Sequence, residues 1–224
     1  MDSQGKSVAA VTGGSTGIGR ATVEAFLTRG IQTYTLGIER TMKDKEMDRF
    51  IQCDVSRQMD VEAAFQIIES ETGHLNYLVN NAGVLSYGSV LETDEAEWDR
   101  VMNINLKGAF LCAKSAIPLM KQNAVIVNVA SVQAFVAQPI VAAYCTSKTA
   151  LLGLTRSIAI DFGPRIRCVA VCPGTIDTPM LHNALEEASD PNAMMEELVA
   201  GHLIGRVGKP EEIGALISFL CSEK

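Results

Sequence analysis

The sequence predicts an α/β domain built on a parallel sheet with helices on both of its faces. Three observations lead there. Short, wholly apolar runs such as 8–11 and 125–129 alternate with segments of helical period. Strands that are apolar throughout, separated by helices, imply a parallel sheet buried on both sides. Finally, Gly13, the stretch 80–83, Ser131 and Pro173-Gly174 fall directly after such runs, at the carboxyl ends of strands where these sheets bind ligands.

Taken in order, residues 8–11 form a strand, the glycines after them a tight turn, and Ile18, Ala21, Thr22, Ala25 and Phe26 a helix. Residues 31–36 form the second strand and 50–53 the third. Val61, Ala64, Phe65 and Ile68 recur at i, i+3, i+4 and i+7 and mark the next helix, after which 75–79 supplies a fourth strand. A long helix is expected from Thr93, whose hydroxyl suits an N-cap, to Lys121, with Pro118 disturbing its last turn. Residues 125–129 are strand five, a helix carrying Tyr144 runs to about Phe162, and 166–171 is strand six. Beyond Pro173 no periodic pattern is readable until about Asn192. Pro210 then opens a final helix carrying Ile213, Leu216, Ile217 and Leu220, with Glu211 and Glu212 complementing its N-terminal dipole.

A chain of 224 residues suits one domain with a sizeable core. Its 19 Lys and Arg against 26 Asp and Glu leave a net charge of −7, and the basic residues form no stripe, which argues against nucleic acid or an anionic membrane as partner. No apolar run reaches the roughly eighteen residues of a membrane span, and residues 1–7 have no apolar export segment behind them. Six cysteines without a Cys-x-x-Cys pair read as reduced core residues of a cytoplasmic protein. Cys168 and Cys172 would share one strand face, but His74, His182 and His202 are scattered, and no metal site is expected.

Two segments carry chemistry. The loop 12–19, Thr-Gly-Gly-Ser-Thr-Gly-Ile-Gly, joins the first strand to the first helix; its glycines let backbone N–H groups approach a phosphate at a helix N-terminus, although such a turn also serves close packing. Tyr144 and Lys148 stand four residues apart, on one face of a helix, with Ser131 thirteen residues upstream. A phenol with an ordinary pKa of about 10 is a poor acid–base catalyst at neutral pH, and a neighbouring ammonium would favour its phenolate. On its own, Tyr-x-x-x-Lys occurs by chance on many helices.

Together with Cys53-Asp54-Val55, Asn80-Asn81-Ala82-Gly83, Asn105 within Met-Asn-Ile-Asn-Leu-Lys-Gly, and Pro173-Gly174, these segments resemble the short-chain dehydrogenase/reductase family in order and spacing, over nearly the whole chain. The resemblance implies a single Rossmann-like, doubly wound domain over 1–224 and NAD or NADP as cofactor. By the same resemblance Tyr144 exchanges a proton with the substrate oxygen and Ser131 hydrogen-bonds that oxygen. Lys148 binds the nicotinamide ribose and lowers the tyrosine pKa, and Asn105 holds a relay water. Cofactor contacts are implied at Gly13, Ser15, Thr16, Gly17, Ile18, Gly19, Glu39, Asp54, Val55, Asn81, Ala82, Gly83, Tyr144, Lys148, Pro173, Gly174, Thr175, Ile176 and Thr178. Asp54 could instead cap the helix beginning near Arg57, and Asn80 could serve only to tie strands together.

Glu39 lies twenty residues after Gly19, with Arg40 beside it, and neither Ser15 nor Thr16 is basic; this reads toward NAD, with NADP as the alternative. Residues 176–204 resemble the family's substrate lid, in which His182 is a candidate substrate contact, as are Gln133 and Gln138 near Ser131. The short 37–50 connection and the segments 84–88, 131–134 and 167–179 resemble sugar-oxidising members, the aldohexose dehydrogenases. The expected activity is oxidation of an aldose or polyol. A 3-oxoacyl-carrier-protein reductase is the enzymatic alternative, and a non-catalytic dinucleotide-binding sensor or scaffold is the alternative of another class. The family usually continues into a seventh strand where this sequence stops at Lys224, so that strand is expected to be missing; the resemblance also implies a homotetramer or homodimer.

Overall fold

The computed structural model describes residues 6–38 and 49–222. Strands β1 (Val8–Thr12), β2 (Gln32–Gly37), β3 (Phe50–Gln52), β4 (Leu75–Asn80), β5 (Met120–Val129) and β6 (Ile166–Val171) form one sheet in the order β3-β2-β1-β4-β5-β6, every pair parallel. The chain winds outward from β1 through β2 to β3, then returns to lay β4 on the other side of β1. That reversal is the topological switch point, and it opens a crevice beyond the carboxyl ends of β1 and β4.

Alternate side chains of each strand go to opposite faces, and two cores result. On one face Val8, Ala10, Tyr34, Leu36, Leu78 and Ile126 pack against α2 (Gln58–Thr72), α4 (Gly108–Ala116) and α5 (Ala142–Phe162) through Phe65, Ile68, Leu111 and Ile158. On the other, Ala9, Val11, Val79, Val125 and Val127 meet α1 (Gly17–Thr28) and α8 (Pro210–Leu220) through Val23, Phe26 and Ile217. Each large side chain so enclosed contributes about 1.5–3 kcal/mol. Gly214 brings α8 onto α1, since a Cβ there would stand 2.7 Å from the Ala21 carbonyl carbon.

Capping fixes where these helices begin and end. Gly73 closes α2 in the left-handed conformation. The Glu212 carboxylate accepts the Lys209 N–H at 2.7 Å at the start of α8. Carbonyls at its other end accept from Arg29, at Ser218 and Cys221, and from Arg167, at Leu220.

The helix expected from Thr93 to Lys121 is instead four pieces. Asp94, not Thr93, caps α3 (Glu95–Met102), its carboxylate accepting the Glu97 N–H at 2.8 Å; the Thr93 hydroxyl donates to Ser89 O. A π-helical turn, Asn103–Lys107, follows, then α4, then a tight 3₁₀ turn, Ile117–Leu119, at Pro118. Strand β5 starts at Met120, five residues before the apolar run, because Met120 is buried and pairs with Leu75 ahead of a bulge. Beyond Pro173, where no pattern was readable, lie α6 (Pro179–Glu186) and α7 (Pro191–Ala200). Only Leu181 and Ala184 of α6 are buried and no residue of α7 is, so neither carries a full apolar stripe; α7 is defined by its Asp190 cap, which accepts from Asn192 and Ala193. Among the described residues no helix is long and apolar enough to cross a membrane, no cluster could hold a metal ion, and all six cysteines are free.

Candidate active site

The two strand ends at the switch point are clamped to each other. Thr12 Oγ1 accepts the N–H groups of Asn81 and Ala82, each at 3.0 Å, while Asn81 Nδ2 donates to Thr12 O and Gly13 O at 3.1 and 3.0 Å. The glycine loop threads this clamp: Gly13 and Gly17 have φ of 61° and 52°, and a Cβ on Gly19 would stand 2.1 Å from Gly13 O. Thr16, at the N-cap of α1, makes no side-chain cap bond, so first-turn N–H groups beside Gly17 and Ile18 remain for an anion at the helix N-terminus.

A cleft of about 810 Å³ opens above the sheet. Gly13, Thr16, Gly17 and Ile18 line it from the loop, Asn81 to Tyr87 from beyond β4, Ser131 from beyond β5, Tyr144 and Lys148 from α5, and Pro173 to Ile176 from beyond β6. Lid residues Thr178, Leu181 and Asn183 of the α6 region and Met194 and Leu198 of α7 form the outer wall. A glycine cradle, an uncapped helix N-terminus and a long cleft fit an extended dinucleotide.

Ser131, Tyr144 and Lys148 are all buried at the base of this cleft. Ser131 Oγ accepts the Gln133 N–H at 3.1 Å, and the Ser131 side chain is near enough to the Tyr144 phenol to influence its titration. Lys148 Nζ donates to Val129 O at 2.8 Å. Asn105 lies behind the cleft wall in the π-helical turn, where the Gly108 N–H reaches Asn103 O. Its amide accepts the Val84 N–H at 2.8 Å and donates to Val84 O and to Ser147 Oγ at 2.9 and 3.0 Å; Ser147 donates in turn to Tyr144 O at 2.7 Å. One chain of hydrogen bonds thus runs from the strand-four loop through Asn105 and Ser147 to the backbone of Tyr144.

Burial sets the titration of the pair. Desolvation lowers Lys148 from 10.5 to about 8, with a smaller opposing push from Cys172. The Tyr144 phenol is raised above its ordinary value, chiefly by burial and further by Tyr87, while the Ser131 hydroxyl draws it down. Burial sets the direction for the phenol, and the lysine directs its hydrogen bond at Val129 O.

Other expected residues divide. Gln133 and Gln138 line the cleft, joined by a 2.7 Å bond, and Gln133 Oε1 is buried without a partner. His182 does not line it: its Nε2 lies 2.6 Å from Asp177 Oδ1, both side chains more than half exposed. Ser15 and Gly19 belong to the loop but not to the cleft surface, and Glu39 and Arg40 lie outside the described residues. Asp54 Oδ1 accepts from the N–H and hydroxyl of Ser56, closing the turn before α2, and buried Val55 sits against Gly108; neither reaches the cleft. Asn80 donates to Asn128 Oδ1 at 2.8 Å and so ties β4 to β5.

Sequence reasoning passed over His202. Its ring bonds the Thr175 N–H and Leu198 O, at 3.0 and 2.7 Å. A single histidine with no motif around it offered no signal for it.

Comparison with known proteins covers the whole site. A family model described as enoyl-(acyl carrier protein) reductase matches residues 13–224. The 2-(S)-hydroxypropyl-CoM dehydrogenase 3 of Xanthobacter autotrophicus is 36% identical over 97% of this chain and 90% of its own length. Dehydrogenase/reductase SDR family member 6 of Aquarana catesbeiana is 34% identical over 97% of this chain and 90% of its own. Among solved structures, the ligand-free aldohexose dehydrogenase of Thermoplasma acidophilum superposes with a TM-score of 0.90 at 39% identity, covering 97% of this chain and 87% of that one.

Proposed function

Since the chain belongs to the short-chain dehydrogenase/reductase family, oxidoreductases that act on CH–OH groups with NAD or NADP, we propose that it oxidises an aldose or polyol, with Tyr144 as the proton carrier. The observation that carries this reading is that buried Ser131, Tyr144 and Lys148 line one cleft together, with Lys148 Nζ 5.6 Å from the centre of the tyrosine ring.

A bound nicotinamide dinucleotide supplies the hydride exchange. The protein's residues do the rest. In the oxidative direction Tyr144 Oη takes the proton of the substrate hydroxyl, and Ser131 Oγ donates to the oxygen as charge develops there. Lys148 and the main chain at Gly13, Thr16–Ile18, Asn81–Gly83 and Pro173–Thr178 would hold the dinucleotide. Asn105 and Ser147 fix the helix turn that presents Tyr144.

Cleft chemistry supports a neutral, hydroxyl-rich substrate. Of the cations that line it, Arg100 is held by both oxygens of Glu97, at 2.6 and 2.7 Å, and Lys148 by Val129 O. Gln133, Gln138 and Asn183 remain as donors and acceptors for sugar hydroxyls. The absence of a basic residue at 15 or 16 supports NAD over NADP. Exposed Phe110 and Ile160, on α4 and α5, support assembly into a homodimer or homotetramer.

The test follows NADH and NADPH absorbance across a panel of aldoses, polyols, secondary alcohols and 3-oxoacyl esters. Turnover of aldoses with NAD is expected. Preference for 3-oxoacyl esters would assign the carrier-protein reductase, and tight cofactor binding without any turnover would assign a sensor or scaffold.

A further inference from the structure

We infer that His202 is a positioning residue: it ties the α7 wall of the cleft to the loop after β6, and substrate affinity depends on that tie. Leu198 O can only accept and the Thr175 N–H can only donate. The two partners therefore assign the imidazole as neutral, with the proton on Nδ1 and a lone pair on Nε2. In the last turn of α7, Glu197 O accepts the Gly201 N–H and Val199 O the His202 N–H. The His202 ring satisfies Leu198 O between them while reaching across to the β6 loop.

Both ends of the tie belong to the site. Met194 and Leu198 of α7 line the cleft on one side and Gly174 and Thr175 on the other. The rest of the lid is rooted lower down, where Gly208 N–H donates to Thr175 O and Asp177 N–H to Gly208 O, each at 2.9 Å. Those two bonds fix where the lid leaves and rejoins the domain; His202 adds a bond further along, between α7 and the loop itself. The seat for the ring is built in: a Cβ on Gly174 would stand 2.7 Å from His202 Nε2. Glycine at 174 thus leaves room for the imidazole.

The effect on affinity rests on the enzymatic reading above, whereas the tie itself does not, and the experiment separates them. Backbone hydrogen exchange over residues 173–178 and 191–201 is measured in the wild type, His202→Ala and His202→Gln without ligand, and steady-state kinetics are run on whichever substrate the panel identifies. In His202→Ala, exchange in both segments is expected to accelerate. KM should rise about five- to tenfold, the equivalent of one or two hydrogen bonds, with kcat within about twofold of wild type. Glutamine, which carries both an acceptor and a donor, should recover most of each effect. Wild-type exchange in His202→Ala overturns the tie whether or not a substrate is found. Accelerated exchange with KM unchanged, or a loss confined to kcat, overturns the role in substrate affinity.

Discussion

The Lys148 ammonium lies 5.6 Å from the centre of the Tyr144 ring and donates to Val129 O at 2.8 Å, one turn along α5 from the phenol it is expected to serve. It is buried there, and its pKa is lowered to about 8. Unfolded, the lysine binds a proton up to about pH 10.5; folded, only up to about 8. Between those values the unfolded chain holds more protons, so stability rises with pH, and below pH 8 the full penalty of burying the charge is present. The displacement corresponds to about 3 kcal/mol at 1.36 kcal/mol per pH unit. Lys148→Met should remove this dependence. Denaturant unfolding of the wild type at pH 7 and 9.5 should show a rise in stability that the variant lacks. Parallel pH dependences in the two proteins would count against a strained lysine.

Ser131 draws the Tyr144 phenol down against the pull of burial. Removing its hydroxyl should push the phenol higher still. Since oxidation needs the phenolate as base, the acid-side limb of the kcat profile in Ser131→Ala should move to higher pH, with kcat lower by about a hundredfold. A variant that loses rate with an unshifted profile would restrict Ser131 to binding the substrate oxygen.

Gly19 and Gly30 make opposite predictions for one substitution. An alanine at 19 would place its Cβ 2.1 Å from Gly13 O and 2.5 Å from Asn81 Nδ2, inside the clamp that joins β1 to β4. At 30 the Cβ meets nothing within 4 Å, and only the φ of 73° opposes it. Gly19→Ala should cost about 3 kcal/mol and weaken dinucleotide binding, whereas Gly30→Ala should cost about 1 kcal/mol and leave binding intact. Equal costs in thermal unfolding would remove the packing argument for the glycine loop.

Strands were legible where a run was buried on both faces, as in β1 and the second half of β5, and the site was legible where it sat at strand ends. Tyr144, Lys148, Ser131 and the glycine loop all meet in one cleft for that reason. What escaped reading was set by single polar contacts. The Asp94 cap and the π-helical turn divide an apolar pattern that reads as one helix. Helix α7 buries no residue, so nothing in its composition marks it beyond Asp190 and Pro191. His182 and His202 are indistinguishable as letters; one faces solvent beside Asp177, and the other closes a bond to Thr175 that only the folded lid creates.

The central claim is that Tyr144 carries the proton while the surrounding cleft holds the cofactor. Tyr144→Phe removes one oxygen and leaves the ring, the helix and Lys148 in place. NADH binding by fluorescence titration and single-turnover kinetics on the identified substrate should be measured together on that variant. Cofactor affinity within about threefold of wild type with turnover reduced by at least about a thousandfold is the predicted result. Turnover within about tenfold of wild type, with the cofactor still bound, would contradict the assignment.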